Sequence, residues 1–196
     1  FTSGTGSGRA KAVALTHGNL MANSLQIRHW LPEARPGDER VLAAWPFLAG
    51  LAATVNIAPT LGATVILLPR FDALETLQTI KACRPTFLPA SPRMYQALAQ
   101  VPHVRRYGIA SIRVCFSGGA ALPVEVQESF EKLTKGRVVE AYNTAECGVS
   151  IGNPLAARKR SGSIGVPLPD VEARLVHTET GRVCEVDEAG ELWVRG

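Results

Sequence analysis

Two patterns of apolar residues alternate along the chain from about residue 12 to about residue 142. Short unbroken apolar runs predict strands inside a sheet, and apolar residues three or four positions apart predict helices with one inward face. We expect the run at residues 64–69, Thr-Val-Ile-Leu-Leu-Pro, to be buried on both faces. The predicted strands are Lys11–Leu15, Thr64–Pro69, Thr86–Ala90, Ile112–Gly119 and Arg137–Asn143.

Each predicted helix begins at a residue suited to a helix amino terminus. Thr16 is a candidate N-cap, and Asp72 has Glu75 three residues later. Pro92, after Ser91, and Pro123 fit a first helical turn, where proline is tolerated. The residues predicted to face the core are Leu20, Ser24, Ile27 and Leu31, then Leu74, Leu77 and Ile80, then Met94, Leu98 and Val101, then Val126, Phe130 and Leu133.

This alternation predicts an α/β fold, a mostly parallel sheet flanked by helices. After about residue 145 the helical spacing stops, and short strand-like runs separated by turn signals follow. We therefore expect an α/β unit over residues 1–150 and the start of a β-rich subdomain over 151–196. The boundary between them is soft, near residues 150 to 160.

Composition narrows the function classes. Hydrophobic residues make up 46% and charged residues 19%, which is typical of a globular protein. The net charge of +4 suits an anionic small molecule and argues against a nucleic-acid partner. No apolar run is long enough to be a transmembrane segment. Four widely spaced cysteines without a CxxC pair favour reduced thiols, so we expect a cytoplasmic protein.

The first candidate site is the segment Thr2-Ser3-Gly4-Thr5-Gly6-Ser7-Gly8-Arg9-Ala10-Lys11. Glycines let successive backbone N–H groups point into one concavity, hydroxyls add donors, and Lys11 supplies a mobile positive charge. The segment is neither a Walker A loop nor a dinucleotide fingerprint. Taken alone, it fits a phosphate-binding loop and a flexible tail equally well.

Two further stretches follow predicted strands. Gly118, Gly119 and Ala120 stand between a strand and a helix, where a backbone can approach a flat ligand or can simply make a tight turn. Tyr142 lies near the end of the next predicted strand, where its ring could stack on a base. Glu146 follows that strand, where its carboxylate could lie near a metal-bound phosphate. We expect these stretches to meet at one edge of the sheet.

The motifs, in this order, resemble those of the AMP-forming adenylation superfamily, which includes acyl-CoA and aryl-CoA ligases. The N-terminal residues Phe-Thr-Ser-Gly-Thr-Gly-Ser-Gly-Arg-Ala-Lys, followed by Leu-Thr-His-Gly-Asn-Leu, are similar to the family's phosphate loop with one extra residue. Gly118-Gly119-Ala120 resembles its adenine segment, and residues 141–146, Ala-Tyr-Asn-Thr-Ala-Glu, resemble its Gly-Tyr-Gly-x-Thr-Glu. The similarity covers essentially the whole chain.

The resemblance implies a reaction and a set of roles. A carboxylic acid, in fatty-acyl members a fatty acid, is activated by ATP with Mg²⁺ to an acyl-adenylate and passed to coenzyme A or to a carrier protein. Gly118, Gly119 and Ala120 would line the adenine, Tyr142 would stack on it, and Asn143 would lie beside it. Glu146 would help to hold Mg²⁺. The residues implied at the β- and γ-phosphates are Thr2, Ser3, Gly4 and Thr5 with Lys11.

Several departures from the family pattern bear on activity. Ala145 replaces a threonine whose hydroxyl meets a nucleotide phosphate, and Asn143 replaces a glycine. These changes also fit a relative that binds a nucleotide or acyl ligand without catalysis. The resemblance places a ribose-binding aspartate and a catalytic lysine beyond Gly196. We therefore expect a piece of the enzyme's large N-terminal domain that is inactive in isolation.

Overall fold

The computed structural model describes residue 2 and residues 8–31, 33–44, 55–155 and 159–196. The predicted site residues Ser3, Gly4 and Thr5 lie outside the described residues. The helices are α1 His17–Trp30, α2 Ile57–Leu61, α3 Ala73–Cys83, α4 Pro92–Gln100 and α5 Val124–Thr134, with short 3-10 turns at Val104–Tyr107 and Ile109–Ser111. The strands are β1 Arg40–Ala43, β2 Thr64–Leu67, β3 Val114–Ser117, β4 Arg137–Thr144, β5 Gly148–Gly152, β6 Val166–Pro167, β7 Glu172–Val176 and β8 Glu191–Arg195.

The described strands β1 to β6 form one sheet, in which segment 86–90 joins β1 to β3. The spatial order is β2, β1, segment 86–90, β3, β4, β5 and β6. β1 pairs with β2, and β3 pairs with β4, both in parallel. Phe87 bridges β1 to β3 through single parallel pairings with Val41 and Val114. β5 and β6 then extend the sheet in antiparallel fashion. This arrangement confirms the predicted α/β fold with a mostly parallel sheet.

The core lies on both faces of this sheet, because neighbouring strand residues point to opposite sides. One face of the sheet, with Leu42, Cys115 and Val138, packs against α3, α4 and α5. The other face, with Val41 and Val139, packs against α1 and α2. In the described part of the chain, none of the helices is long and apolar enough to pass through a bilayer.

The predicted helix starts at Thr16, Asp72 and Pro92 are confirmed, whereas Pro123, predicted in a first helical turn, is the extended N-cap residue before α5. Thr16 accepts a hydrogen bond from the Asn19 N–H, and the Asn19 side chain accepts one from the Thr16 N–H, which forms a reciprocal capping box. Asp72 caps α3 by accepting from the Glu75 N–H. α4 starts at Pro92, in the first turn, where its missing N–H would have no partner in any case.

Three strand predictions need correction. The run Thr64–Leu67 is half-exposed, with Leu67 at 62% exposure, because β2 lies at the end of the described sheet and pairs with β1 alone. Lys11–Leu15 forms no strand. Segment 86–90 pairs only through isolated bridges, since Pro85 and Pro89 have no N–H to donate to a ladder.

The β-rich character after residue 145 is present, and in the described residues no helix follows α5. The predicted boundary at residue 150 falls inside β5, which pairs with β4. The larger sheet therefore continues to β6. A separate two-stranded sheet, β7 with β8, begins at Glu172.

Helix α1 is fixed on β5 by one buried side chain. The Asn23 amide donates to the Val149 carbonyl at 2.7 Å and accepts from the Val149 N–H at 3.1 Å, so it pairs as a strand would. Gly148 has φ +63°, and a Cβ there would lie 2.4 Å from Asn23 Oδ1. Further along both elements, Trp30 Nε1 donates to the Asn153 carbonyl at 3.0 Å. α1 and β5 therefore run in the same direction.

At the amino edge of the sheet, a buried carboxylate joins three neighbouring segments. Glu39, 5% exposed, accepts hydrogen bonds from the Arg35 N–H, the Thr86 hydroxyl and the Arg113 guanidinium at 2.9, 2.5 and 2.5 Å. Burial pushes the pKa of Glu39 upward, but these three donors outweigh it, so its pKa lies below the ordinary value. Its ionised form thus stabilises the start of β1, segment 86–90 and β3.

We predict that Glu39→Gln makes the free energy of unfolding less dependent on pH. The lowered folded pKa contributes stability above the unfolded value of about 4.3, and this stability is lost as the pH falls through the folded pKa. Urea unfolding between about pH 3 and pH 7 measures the slope. The exposed Glu128→Gln is the control and should keep the wild-type slope. Equal slopes for Glu39→Gln and wild type would contradict this assignment.

We also predict that Asn23→Ala lowers the free energy of unfolding by about 2–4 kcal/mol, because it leaves two buried backbone groups of Val149 without partners. Chemical denaturation measures the change. Met21→Ala, on the same helix but 58% exposed, should change stability by less than about 0.5 kcal/mol. A cost for Asn23→Ala no larger than that of Met21→Ala would show that the Asn23 pairing does not hold α1 on the sheet.

Candidate nucleotide site

The carboxyl ends of three neighbouring segments lie in one row. Ala90 pairs with Ser117, and Ser117 pairs with Glu140, all in parallel register. Gly118 follows β3, and β4 continues with Ala141 and Tyr142, so the loop that contains Gly119 starts beside the part of β4 that carries Tyr142. In open α/β sheets this edge is where ligands bind.

The loop Gly118–Leu122 is anchored at both ends. The Gly118 N–H donates to the Ala90 carbonyl at 3.3 Å, and the Leu122 N–H donates to Glu140 Oε1 at 3.1 Å. Gly119 has φ +78°, a conformation that favours glycine. Between the anchors, Gly119 and Ala120 are exposed, whereas Gly118 is buried. Both the turn role and the ligand role of these glycines are therefore compatible with the geometry.

Tyr142 lies on the same face of the sheet as this loop. Val138 faces the core under α5 and Val139 faces the opposite core, so Glu140 and Tyr142 continue the side of Val138. Tyr142 and Asn143 are half-buried, and the pairing register shifts between them. The predicted strand Arg137–Asn143 matches β4 to within one residue, and β4 then turns directly into β5.

Glu146 is exposed in the turn between β4 and β5. Thr144 Oγ1 accepts from the Cys147 N–H at 3.1 Å and closes this turn. Within the described residues, no group of three or more His, Cys, Asp or Glu side chains is arranged to hold a metal ion. A single carboxylate still fits Mg²⁺ that takes its other ligands from nucleotide phosphates and water.

The N-terminal segment approaches the same edge through α1. Because α1 runs alongside β5 from Asn23 to Trp30, its first residue, six positions before Asn23, lies about 9 Å further toward the turn that carries Glu146. The first turn of α1 has no acidic side chain, so the positive end of its dipole is not offset there. This end of the helix favours an anion.

Thr2 and Lys11, two of the predicted phosphate-binding residues, are tied to each other. The Thr2 N–H donates to the Lys11 carbonyl at 2.8 Å, and the Lys11 N–H donates to Thr2 Oγ1 at 2.9 Å. These two bonds hold the backbone of Thr2 beside that of Lys11. The Lys11 side chain is exposed and available to a ligand.

A cavity at the opposite, amino edge of the sheet contains none of the predicted site residues. It is bordered by apolar side chains such as Leu61 and by Glu39, Arg113 and Arg137. Three of its charged side chains are already engaged, since Glu39 binds Arg113 and Arg137 donates to the Leu155 carbonyl. We therefore place the candidate site at the carboxyl edge.

Two structurally important polar residues were missed by sequence reasoning. Glu140 is the one charged residue among positions 138–142, which are otherwise apolar or aromatic. A charged residue inside such a run is a signal for a buried polar contact. Asn23 gave no such signal, because its partner Val149 lies 126 residues away.

The chain is similar in sequence and in fold to known proteins. The family model described as AMP-binding enzyme matches residues 1–196. The chain is 41% identical over its whole length to a long-chain-fatty-acid–CoA ligase of Bacillus subtilis and spans 35% of that protein. It is 32% identical to a probable CoA ligase of Humulus lupulus and spans 36% of it. The chain therefore spans about a third of the length of these relatives.

Among solved structures, ATP-bound MatB from Rhodopseudomonas palustris superimposes on the whole chain with a TM-score of 0.89 at 31% identity, and 38% of that protein is covered. A benzoate CoA ligase from Burkholderia xenovorans covers 92% of the chain with a TM-score of 0.83 at 26% identity. The family model, the relatives and the shared fold together establish that this chain belongs to the AMP-binding enzyme family.

Proposed function

We propose that this chain is the central part of the large N-terminal domain of an AMP-forming acid–CoA ligase that acts on fatty acids. The observation that carries the proposal is the row of paired strand ends that leads to Gly119 and Tyr142 at one edge. The relative from Bacillus subtilis, named as a long-chain-fatty-acid–CoA ligase, supports the acid class. The ATP-bound neighbour supports the nucleotide.

The proposed reaction has two steps. The substrate carboxylate attacks the α-phosphorus of ATP, which forms an acyl-adenylate and releases pyrophosphate. The thiol of coenzyme A then attacks the acyl carbon and releases AMP. The first step needs alignment of the reactants and neutralisation of phosphate charge rather than a protein nucleophile. The exposed backbone of the glycine loop, the Lys11 ammonium and the Glu146 carboxylate can supply this alignment and this charge neutralisation.

In this proposal, the loop of Gly118, Gly119 and Ala120 lines one side of the adenine. Tyr142 stacks on the base from the neighbouring strand, and Asn143 lies beside it. Gly119 and Ala120 are exposed and the Tyr142 ring is half-buried, so backbone and ring would together offer a platform to the base. A flat heteroaromatic ring fits such a platform better than a branched ligand does.

We assign the phosphates to the N-terminal segment, in which Thr2 pairs with Lys11. The Lys11 ammonium would neutralise the β- and γ-phosphates, and Thr2, with Ser3, Gly4 and Thr5, would donate hydrogen bonds to their oxygens. The uncompensated amino end of α1 adds a favourable field for the same anion. Glu146 would hold Mg²⁺, which neutralises phosphate charge when bound.

We propose a division of the chain that follows the pairing of its strands. The nucleotide- and acyl-binding unit, predicted at 1–150, would extend through β6, and the β-rich unit predicted at 151–196 would be represented by β7 and β8.

The four cysteines are unpaired, which supports a reducing, cytoplasmic setting.

A binding protein without catalysis is the second candidate. Ala145 and Asn143, which depart from the family pattern, favour it. The two candidates differ in one reaction, because only the ligase exchanges pyrophosphate with ATP. The thiol that accepts the acyl group then separates two kinds of ligase. A CoA ligase transfers the acyl group to free coenzyme A, whereas a carrier-linked enzyme transfers it only to a protein-bound thiol.

We predict that the full-length protein catalyses ATP–pyrophosphate exchange that depends on a long-chain fatty acid. Lys11→Ala should reduce the exchange rate by about tenfold or more, because a charge-assisted phosphate contact is lost. Lys81→Ala, in the last turn of α3, is the matched control and should leave the rate unchanged. Absence of exchange with every acid in a panel of aliphatic and aromatic acids would refute the ligase.

Ala145→Thr gives a second test of the same site. A restored hydroxyl bonded to a phosphate is worth roughly 1.5–3 kcal/mol, so the exchange rate should rise about 10- to 100-fold. Ala110→Thr, at an exposed alanine in a 3-10 turn, should have no effect. If Ala145→Thr leaves the rate unchanged, position 145 does not contact the nucleotide.

A further inference from the structure

Glu140 is a buried carboxyl that none of the proposed roles uses. It is 7% exposed, and it makes no ion pair with another described residue. Burial raises the pKa of Glu140 above its ordinary value, and the hydrogen bond from the Leu122 N–H offsets this only in part. Burial of a carboxyl costs free energy, which a single hydrogen bond offsets only in part.

That hydrogen bond sets the position of the glycine loop. Glu140 Oε1 accepts from the N–H of Leu122, the residue at which the loop returns to the core. The start of the loop is fixed separately, by the Gly118 N–H on the Ala90 carbonyl. With both ends fixed, the exposed residues between them have little freedom to move toward or away from β4.

The same side chain belongs to the strand that carries Tyr142. Glu140 precedes Tyr142 by two residues, so both extend from the same face of β4. The backbone carbonyl of Glu140 also accepts from the Asn153 N–H at 3.0 Å, which ties this part of β4 to the end of β5. Glu140 is therefore the link between the loop and the ring on either side of the candidate adenine site.

We propose that Glu140 is a positioning residue for the nucleotide: its carboxyl oxygen holds the Gly118–Leu122 loop at a fixed distance from Tyr142. This inference rests on the proposed function, since it assumes that the platform binds an adenine. The role requires a hydrogen-bond acceptor and not a negative charge, because the donor is a neutral backbone N–H. Glutamine can therefore replace glutamate, and leucine cannot.

The test compares Glu140→Gln and Glu140→Leu in the full-length protein. Leucine fills a similar volume, so it removes the acceptor without opening a cavity and without leaving a buried charge. We expect Glu140→Leu to weaken ATP binding, measured by calorimetry, by about tenfold. The substitution leaves the buried Leu122 N–H unpaired, so the melting temperature should also fall, and the Glu39→Gln control separates lost stability from lost ATP affinity. Glu140→Gln should bind ATP within about twofold of the wild type, and KM for the acid should not change in either variant.

Glu39→Gln is the matched control, because Glu39 is a similarly buried carboxyl at the opposite edge of the sheet. It should lower the melting temperature and leave ATP affinity unchanged. Wild-type ATP affinity in Glu140→Leu would overturn the inference and leave the proposed function standing. The inference would also be overturned if Glu39→Gln lost ATP affinity in proportion to its loss of melting temperature, because the effect would then follow from stability alone. A wild-type protein that does not bind ATP would overturn the proposed function itself.

Discussion

The pairing of Ala90 with Ser117 and of Ser117 with Glu140 is the constraint on which the candidate site depends. Parallel register brings strand ends from distant parts of the chain to a common edge, and the loops that follow must then lie side by side. A slip of one residue between β3 and β4 would send Tyr142 to the opposite face. The buried alternation of Cys115, Phe116, Val138 and Val139 between two cores prevents that slip.

The two edges of the sheet use buried carboxylates in different ways. At the amino edge, three donors surround Glu39, hold its pKa low and join neighbouring strands. At the carboxyl edge, the Glu140 carboxyl accepts a hydrogen bond from the Leu122 N–H, and burial raises its pKa. The first arrangement is suited to stability. The second leaves the surrounding backbone exposed and free to meet a ligand, as a binding edge requires.

Sequence motifs of a few residues predicted the helix starts, because helix capping depends on residues that are close together in the chain. Thr16 and Asp72 start helices because their side chains cap nearby N–H groups, and the sequence contains both partners within three residues. The exposed edge position of β2 could not be predicted, since an apolar run carries no information about which strands will lie beside it. The motif order located Gly118, Gly119 and Tyr142, but the roles of Asn23 and Glu140 depend on long-range pairing that spacing does not encode.

Photoaffinity labelling of the full-length protein with an azido-adenine analogue of ATP tests the central claim most directly. If one nucleotide lies between the glycine loop and Tyr142, peptide mapping should find the label within residues 118–122 and 140–146, and excess ATP should displace it. Labelling that is confined to the cavity at the amino edge, around Glu39 and Arg113, would contradict this account.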